Sequence, residues 1–290
     1  MRCTSVASTA QQRASEQVGL LDRGIEIKRP EQIELMREAG LVTREALDLV
    51  RDHVRPGVTT AELDAIAEKH IRSRGAVPNF KGYHGFPGTI CTSVNDIVVH
   101  GIPGDRELRD GDIISIDCGA IVQGWHGDAA VTVAVGTVSD DVLAMMAVCE
   151  ESMWRGIAAA RLGGRVTDIG HAIESYVRPQ GAYGIVEDYV GHGIGSAMHQ
   201  PPNVPNYGKA GRGPKLVKGL VLAVEPMITG GTIETRVLPD EWTVETTDGS
   251  WSAHYENTFT LTDAGTWVLT EHDGGKAKLA ELGVAYGGPA

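Results

Sequence analysis

The alternation of apolar and polar positions divides the chain into two rounds of the same order. From Pro30 onward, Ile33, Met36, Ala39, Val42, Ala46, Leu47 and Val50 recur three or four residues apart, the spacing that gathers apolar side chains on one helix face. Pro30 suits the first helical turn, where its missing N–H is not needed. A second helix is predicted from Thr59, which makes a capping box with Glu62, through Leu63, Ile66 and Ile71 to a stop at Gly75. The period then falls to two. Strand-like runs follow at Ile97 to His100, Asp112 to Cys118 and Asp128 to Val135, separated by Gly, Pro and Asp. A helical pattern returns from about Ser139 to Leu162 and stops at Gly163 and Gly164; another begins near Thr167, and strands resume from about Gly184.

Helix, helix, strands thus occurs twice, without a repeat of the residues themselves. The recurrence predicts an α+β protein in which two similarly built halves close on one another, helices being segregated from mainly antiparallel strands. No Pro/Ser-rich linker or charge run divides the chain, so residues 25–290 are expected to form one domain behind a flexible N-terminal extension, residues 1–24. The opening MRCTSVASTAQQRASEQ lacks the apolar run of about 7–15 residues that a secretory signal needs. No run of about 18 apolar residues is present to span a bilayer.

Composition narrows the function. The 290 residues are 42% apolar and 22% charged, as expected of a globular protein with a buried core. A net charge of −12 argues against a stand-alone grip on nucleic acid or an anionic membrane, which needs Lys and Arg against phosphates, and favours a metal ion or a cationic ligand. Cys3, Cys91, Cys118 and Cys149 form neither a CxxC pair nor a disulfide framework, which suits a reducing cytosol.

Candidate chemistry lies in four stretches. In GDIISIDCGAIVQGWHGDAAVTV, Asp117 and Asp128 flank a turn candidate at Val122, Gln123 and Gly124. If the hairpin turns about Val122 and Gln123, Asp117 falls directly opposite Asp128, with Cβ atoms about 4.5–5.5 Å apart. Two ionised carboxylates that close, among Ile114, Ile116, Ala130 and Val131, need a proton or a cation between them; the alternative is that they face solvent at a strand end. VLAVEPMI brings Glu225 to the end of an apolar run, held extended by Pro226, and SAHYENTFTL carries Glu256 in another strand. Either is an edge residue, a partner of one of the 26 basic residues, or a ligand. VGHGIGSAMHQPPNVPNY sets His192 and His199 seven residues apart in a segment too rich in Gly and Pro for a long helix or a regular central strand. Four carboxylates and an imidazole together are what two divalent ions about 3.5–4 Å apart require in hydrolases. One nitrogen among oxygens favours Mn, Fe(II), Co or Zn over Ca or Mg.

The series TSVNDIVVHGIP, GDIISIDCGAIVQGWHGDAAVT, VGHGIGSAMHQPPNVPNYG, LAVEPM and SAHYENT, in that order, resembles the type I methionine aminopeptidases of the pita-bread family, which also holds prolidases and creatinases. The likeness runs from roughly Ile25 to Thr270. It implies the pita-bread fold, with a curved, mainly antiparallel sheet between two pseudo-symmetric halves. The implied activity is removal of the initiator methionine from nascent proteins and peptides with a small second residue, by dinuclear-metal-activated water attack on the first peptide bond. The implied cofactors are two divalent metal ions per chain, Co, Mn, Fe(II) or Zn. Asp117 would chelate one ion, Asp128 and Glu256 would bridge both, and His192 with Glu225 would complete the other. The resemblance also makes Glu225 the general base and proton shuttle. It sets His199 on the substrate amide or carbonyl and His100 against the scissile nitrogen and the second residue.

Tyr83, Phe86, Cys91, Met198 and Trp242 would surround the first side chain of the substrate, soft and aromatic walls suited to a thioether. Met198 stands where the family more often has Phe, His254 and Asn257 where Gln and His are more usual, and Asn206 where His is common. His84 and His126 are open between ligand and structural roles, and His171 is expected to be structural. The chain shows neither the long insertion of the type II class nor a Cys/His-rich zinc module. Implied partners are nascent N-termini and the ribosome, with no nucleic-acid specificity of its own and no membrane, for a monomer in the cytoplasm. A prolidase or Xaa-Pro aminopeptidase shares the metal constellation but not the full VVHGIP and GHGIGSAMHQPPNVPNY series. Binding modules of this fold that have lost catalysis typically lack one or more of the five ligands.

Overall fold

Two helices open the part of the chain that the computed structural model describes, residues 24–289, where the apolar spacing predicts them. They are α1, Pro30–Arg51, and α2, Thr60–Ser73. The capping box forms: Thr59 Oγ1 accepts from Glu62 N, and Glu62 Oε2 accepts from Thr59 N at 2.8 Å. Five strands complete the first half, β1 (Val77–Pro78), β2 (Ile90–Val94), β3 (Ile97–Val99), β4 (Ile113–Val122) and β5 (Trp125–Ala134). The second half begins with α3 (Asp140–Ala159) and α4 (Thr167–Val177). Next come β6 (Gly184–Ile185), β7 (Gly191–Gly193), β8 (Gln200–Val204), β9 (Val221–Val224) and β10 (Met227–Thr229), then β11 (Thr235–Val237), β12 (Val244–Thr246), β13 (Ser252–His254), β14 (Glu256–Leu261) and β15 (Thr266–Val268). A short helix, α5 (Lys276–Glu281), was not predicted; only Leu279 of it is buried, too little for a periodic signal. The expected extension falls, but for Gly24, outside the described residues.

The main sheet has nine strands in the order β1-β4-β5-β14-β9-β7-β8, with β15 added to β14 and β2 to β4. Its pairings are antiparallel, and strands of the two halves join where β5 meets β14. Two three-stranded sheets, β13-β10-β6 and β11-β12-β3, flank it. The second of these also mixes the halves, because β3 pairs with β12.

Side-chain alternation splits the main sheet into two unlike faces. On β4 and β5 the side chains of Ile114, Ile116, Cys118 and Ala129 pack with Ala39, Leu47, Leu63 and Ile71 of α1 and α2. On β9 and β14, Leu222, Val224, Phe259 and Leu261 pack with Met153, Ile157, Ile169 and Ile173 of α3 and α4. All four long helices therefore cover one face. The approach is close where α1 crosses β5: a Cβ on Gly127 would lie 2.6 Å from the backbone nitrogen of Gly40. Among the described residues no helix is long and apolar enough to cross a membrane.

The β4–β5 hairpin corrects the expected register. Val122 pairs with Trp125, so the turn residues are Gln123 and Gly124, with φ of 47° and 82°. A two-residue hairpin turn of this kind needs positive φ at both positions, which Gly124 meets freely and a β-branched Val122 would resist. Asp117 consequently opposes Ala130, and Asp128 opposes Gly119. Moving the turn by one residue shifts each partner by two, so both aspartates keep the same face.

Candidate functional site

The face of the sheet opposite the helices carries the candidate ligands, and strand register accounts for their gathering. Cys91 on β2, Asp117 on β4, Ala130 on β5 and Glu256 on β14 pair in succession and form one row. Asp128 lies two residues from Ala130 on β5. His192 on β7 pairs with Ala223 on β9, which pairs with Thr258 on β14, two residues from Glu256. Glu225 stands two residues past Ala223, just beyond β9, where Pro226 keeps the chain extended. Five side chains from five places in the sequence thus share one face because every offset between them is even.

Their donor atoms converge. One atom each from Asp128, His192 and Glu256 lie within 4.8 Å of one another, and so do atoms from Glu225, His254 and Glu256. His192 Nε2 is 3.5 Å from Glu225 Oε1. Asp117 Oδ1, Asp128 Oδ1, Glu256 Oε1 and His254 Nε2 are buried without a hydrogen-bond partner. Acceptors buried beside one another without a donor cost free energy unless a cation joins them. The oxygen-rich donor set with imidazole nitrogen suits a divalent first-row ion. The residues therefore fit the metal that the sequence implies.

Burial sets the protonation of these groups in the absence of an ion. It raises Asp117 to about 7 and Glu225 to about 8, and raises Asp128 and Glu256 further above their ordinary values, with neighbouring carboxylates adding to the shift for Asp128 and Glu256. Burial also lowers His192 to about 3 and lowers His254, leaving neutral imidazoles able to ligate. These shifts predict how the metal-free protein responds to pH. A raised carboxyl holds its proton in the folded state after the unfolded chain has lost it at about 4, so its stabilisation fades as pH climbs through the folded value. The depressed histidines act in the opposite sense, but only below about 6.5, where unfolded histidine is protonated. Above pH 7 the carboxyls govern. Urea titration of metal-stripped protein should show stability falling from pH 7 to about 8.5, and saturating Mn should remove the fall.

The irregular segment between β7 and β8 brings His192 and His199 together, with ring centroids 4.4 Å apart. A bulge follows His192, and added Cβ atoms on Gly191 and Gly193 would lie 2.3 Å from the carbonyl oxygens of Ala223 and Pro201. Glycine is thus required for this segment to lie so close to its neighbours. The Tyr83 hydroxyl is 2.9 Å from His199 Nδ1. His100, just past β3 with φ of 60°, packs edge-on against Trp242 and Tyr189 at 6.0 and 5.8 Å, and burial lowers its imidazole to about 4.

One cavity joins these groups. Asp117, Asp128, His192, Glu225 and Glu256 lie on one side of it, His100 and His199 line it, and Tyr83, Phe86, Cys91, Met198 and Trp242 supply its apolar wall. Each metal ligand, catalytic residue and pocket residue that the resemblance implied therefore borders the same space. Phe80, Val99, Tyr189 and Met227 border it too and were not named, since they lie in loops and short strands without a legible period. His84 lines the cavity, whereas His126 Nδ1 is 2.6 Å from Asn79 Oδ1 and lies outside it. His171, on α4, is 3.2 Å from the Gly208 carbonyl and faces away from the site. Asn206 donates through Nδ2 to the Glu225 carbonyl. Asn257 points to the helix side of the sheet and donates to Glu271 Oε1. His254, visible in the sequence only as an unusual residue, sits with Nε2 3.5 Å from Glu225 Oε2.

Known proteins share this organisation. Residues 34–263 match the sequence profile of metallopeptidase family M24. The chain is 52% identical over 245 residues to the methionine aminopeptidase of Clostridium acetobutylicum, covering 84% of this chain and 98% of that one. It is 51% identical over 245 residues to methionine aminopeptidase 1 of Mycobacterium tuberculosis, covering 82% and 92%. The crystal structure of methionine aminopeptidase from Rickettsia prowazekii superposes with a TM-score of 0.83 at 41% identity, over 85% of this chain and all of that one. Prolidase from Pyrococcus furiosus, at 21% identity and a TM-score of 0.68, shares the pita-bread fold. With its ligand-bearing sheet face and its sequence in agreement, the chain belongs to metallopeptidase family M24, among the methionine aminopeptidases.

Proposed function

We propose that the chain removes the N-terminal methionine from polypeptides with a small second residue, using two divalent ions held by Asp117, Asp128, His192, Glu225 and Glu256. The observation that carries this reading is the convergence of those five side chains at one end of a cavity whose other wall is aromatic and sulfur-bearing. When bound, such ions supply Lewis acidity and a water acidified toward neutral pH.

The protein's own groups do the rest. Glu225 takes the proton of the attacking water and delivers it to the leaving amine, a shuttle that its place between the ligands and the open cavity allows. His199, across from His192, donates a hydrogen bond to the scissile carbonyl and supports the charge that develops there. His100, held neutral by burial, meets the scissile nitrogen and the second residue. Phe86, Cys91 and Met198, all nearly inaccessible to water, with Tyr83 and Trp242, close around an unbranched thioether. Bulk at the second residue is disfavoured where His100, Tyr189 and Trp242 crowd together.

This reading makes nascent N-termini at the ribosome the substrate, and a cytoplasmic monomer the working form. Free, buried Cys91, Cys118 and Cys149 agree with a reducing compartment. A main sheet running through both halves supports one domain over residues 25–290. The test is release of the first residue from Met-Ala-Ser and Ala-Pro-Ser peptides by metal-stripped protein, before and after adding Mn or Co. Metal-restored cleavage of the first peptide alone is expected. Cleavage of only the second would make the chain prolidase-like, and silence on both with metal bound would make it a binding module.

A further inference from the structure

We infer that His254 is a sixth ligand of the metal centre, binding through Nε2, so that each of the two ions has one imidazole. The inference rests on the dinuclear reading above and adds to it a residue that stands where methionine aminopeptidases more usually have Gln.

His254 ends β13, a strand of one of the flanking sheets rather than of the sheet that carries the other ligands. Its backbone is fixed by Thr132, whose Oγ1 accepts from His254 N at 2.8 Å and donates to His254 O at 2.9 Å. The side chain is 1% exposed, and Nε2 is buried with no hydrogen-bond partner. A buried imidazole nitrogen without a partner is costly unless something else occupies it. What faces it is Glu225. The carboxylate of Glu225 lies between two imidazoles, with Oε1 3.5 Å from His192 Nε2 and Oε2 3.5 Å from His254 Nε2.

That distance discriminates between two roles. It is too long for a hydrogen bond from a ring N–H to a carboxylate, whose usual length is about 2.7–2.9 Å. Two donors bonded to one first-row ion at about 2.0–2.2 Å each lie roughly 3–3.5 Å apart, so 3.5 Å is near ligand-to-ligand spacing. If His192 and Glu225 Oε1 share one ion, the same spacing on Oε2 sets His254 on the other. The donor atoms of Glu225, His254 and Glu256 also fall within 4.8 Å of one another, as do those of Asp128, His192 and Glu256. Glu256 belongs to both groups, as a bridging carboxylate should. A second nitrogen makes the site softer than the family's single-imidazole set and tilts its preference from Mn toward Co or Zn.

The experiment loads metal-stripped protein with Co(II) and records the proton NMR spectrum in water. Each cobalt-bound imidazole contributes one strongly shifted ring N–H signal that exchanges with solvent. The wild type should show two, and His254→Gln, which installs the family's more usual residue, should keep one. Calorimetric titration should show the weaker of the two Co(II) affinities falling about 10-fold or more in His254→Gln, with Mn affinity changed less. A single shifted signal in the wild type, or two in the variant, would overturn the assignment. So would equal Co(II) affinity in both proteins, which would make His254 a packing residue. Failure of the wild type to take up Co(II) at all would instead overturn the dinuclear reading itself, and this one with it.

Discussion

Asp117→Asn and Glu256→Gln each bring peptide turnover to background, a fall of roughly 10³-fold or more of the kind seen when a member of a catalytic unit is removed. Metal content drops in the same proteins. Glu256 belongs to both groups of converging donor atoms, so its amide variant should disturb both ions. Asp117 has a buried oxygen with no protein partner, so its amide variant should lose the ion that oxygen serves. Elemental analysis after dialysis should give about two ions per chain for the wild type and one or fewer for each variant. Neither change removes packing volume. The amide is also neutral where burial resists ionisation, so the metal-free variants should unfold at no lower urea concentration than metal-free wild type at pH 8. Activity lost while stability is kept assigns both residues to the metal; normal turnover with two ions bound would refute the two-metal arrangement.

Those two residues also show what a sequence alone reveals. The carboxylates on apolar strands were legible because a charge in a run such as VLAVEPMI violates the hydrophobic pattern, and the violation needs a cause. The hairpin between Asp117 and Asp128 was legible as a hairpin, but its register was not, since the choice between Val122-Gln123 and Gln123-Gly124 depends on backbone dihedrals that a propensity scan does not weigh. The chemistry survived the error because period two conserves the face. What the pattern could not reach was the wall of the cavity. Tyr83 lies in a three-residue 3-10 turn, Met198 in the irregular stretch before β8, and Trp242 in a turn whose N–H groups bond to Asp240; none has a period to read, and only the resemblance named them. His254 was hidden for another reason. It enters from a different sheet, so no register argument along β14 would point its ring at Glu225.

His199→Ala separates positioning of the substrate from binding of the metal. His199 stands next to His192, yet its Nδ1 is engaged by the Tyr83 hydroxyl at 2.9 Å. Burial lowers its pKa, so the ring is neutral at pH 7.5 and carries a single proton. A Tyr83 hydroxyl that donates to Nδ1 leaves that proton on Nε2, which makes the ring a donor to an oxygen rather than a ligand to an ion. Deleting a donor that acts mainly on the developing oxyanion costs about 10²–10³-fold in kcat. His199→Ala should therefore show that loss with KM little changed and both ions retained. Tyr83→Phe removes only the constraint on the tautomer, so it should fall between wild type and His199→Ala in kcat, again with full metal content. If His199→Ala instead lost an ion, the imidazole would be a ligand and the Tyr83 contact incidental. Equal kcat in wild type and His199→Ala would leave the carbonyl to the metal centre alone. A graded series, with metal constant and kcat falling from wild type through Tyr83→Phe to His199→Ala, is what a tyrosine-oriented histidine requires.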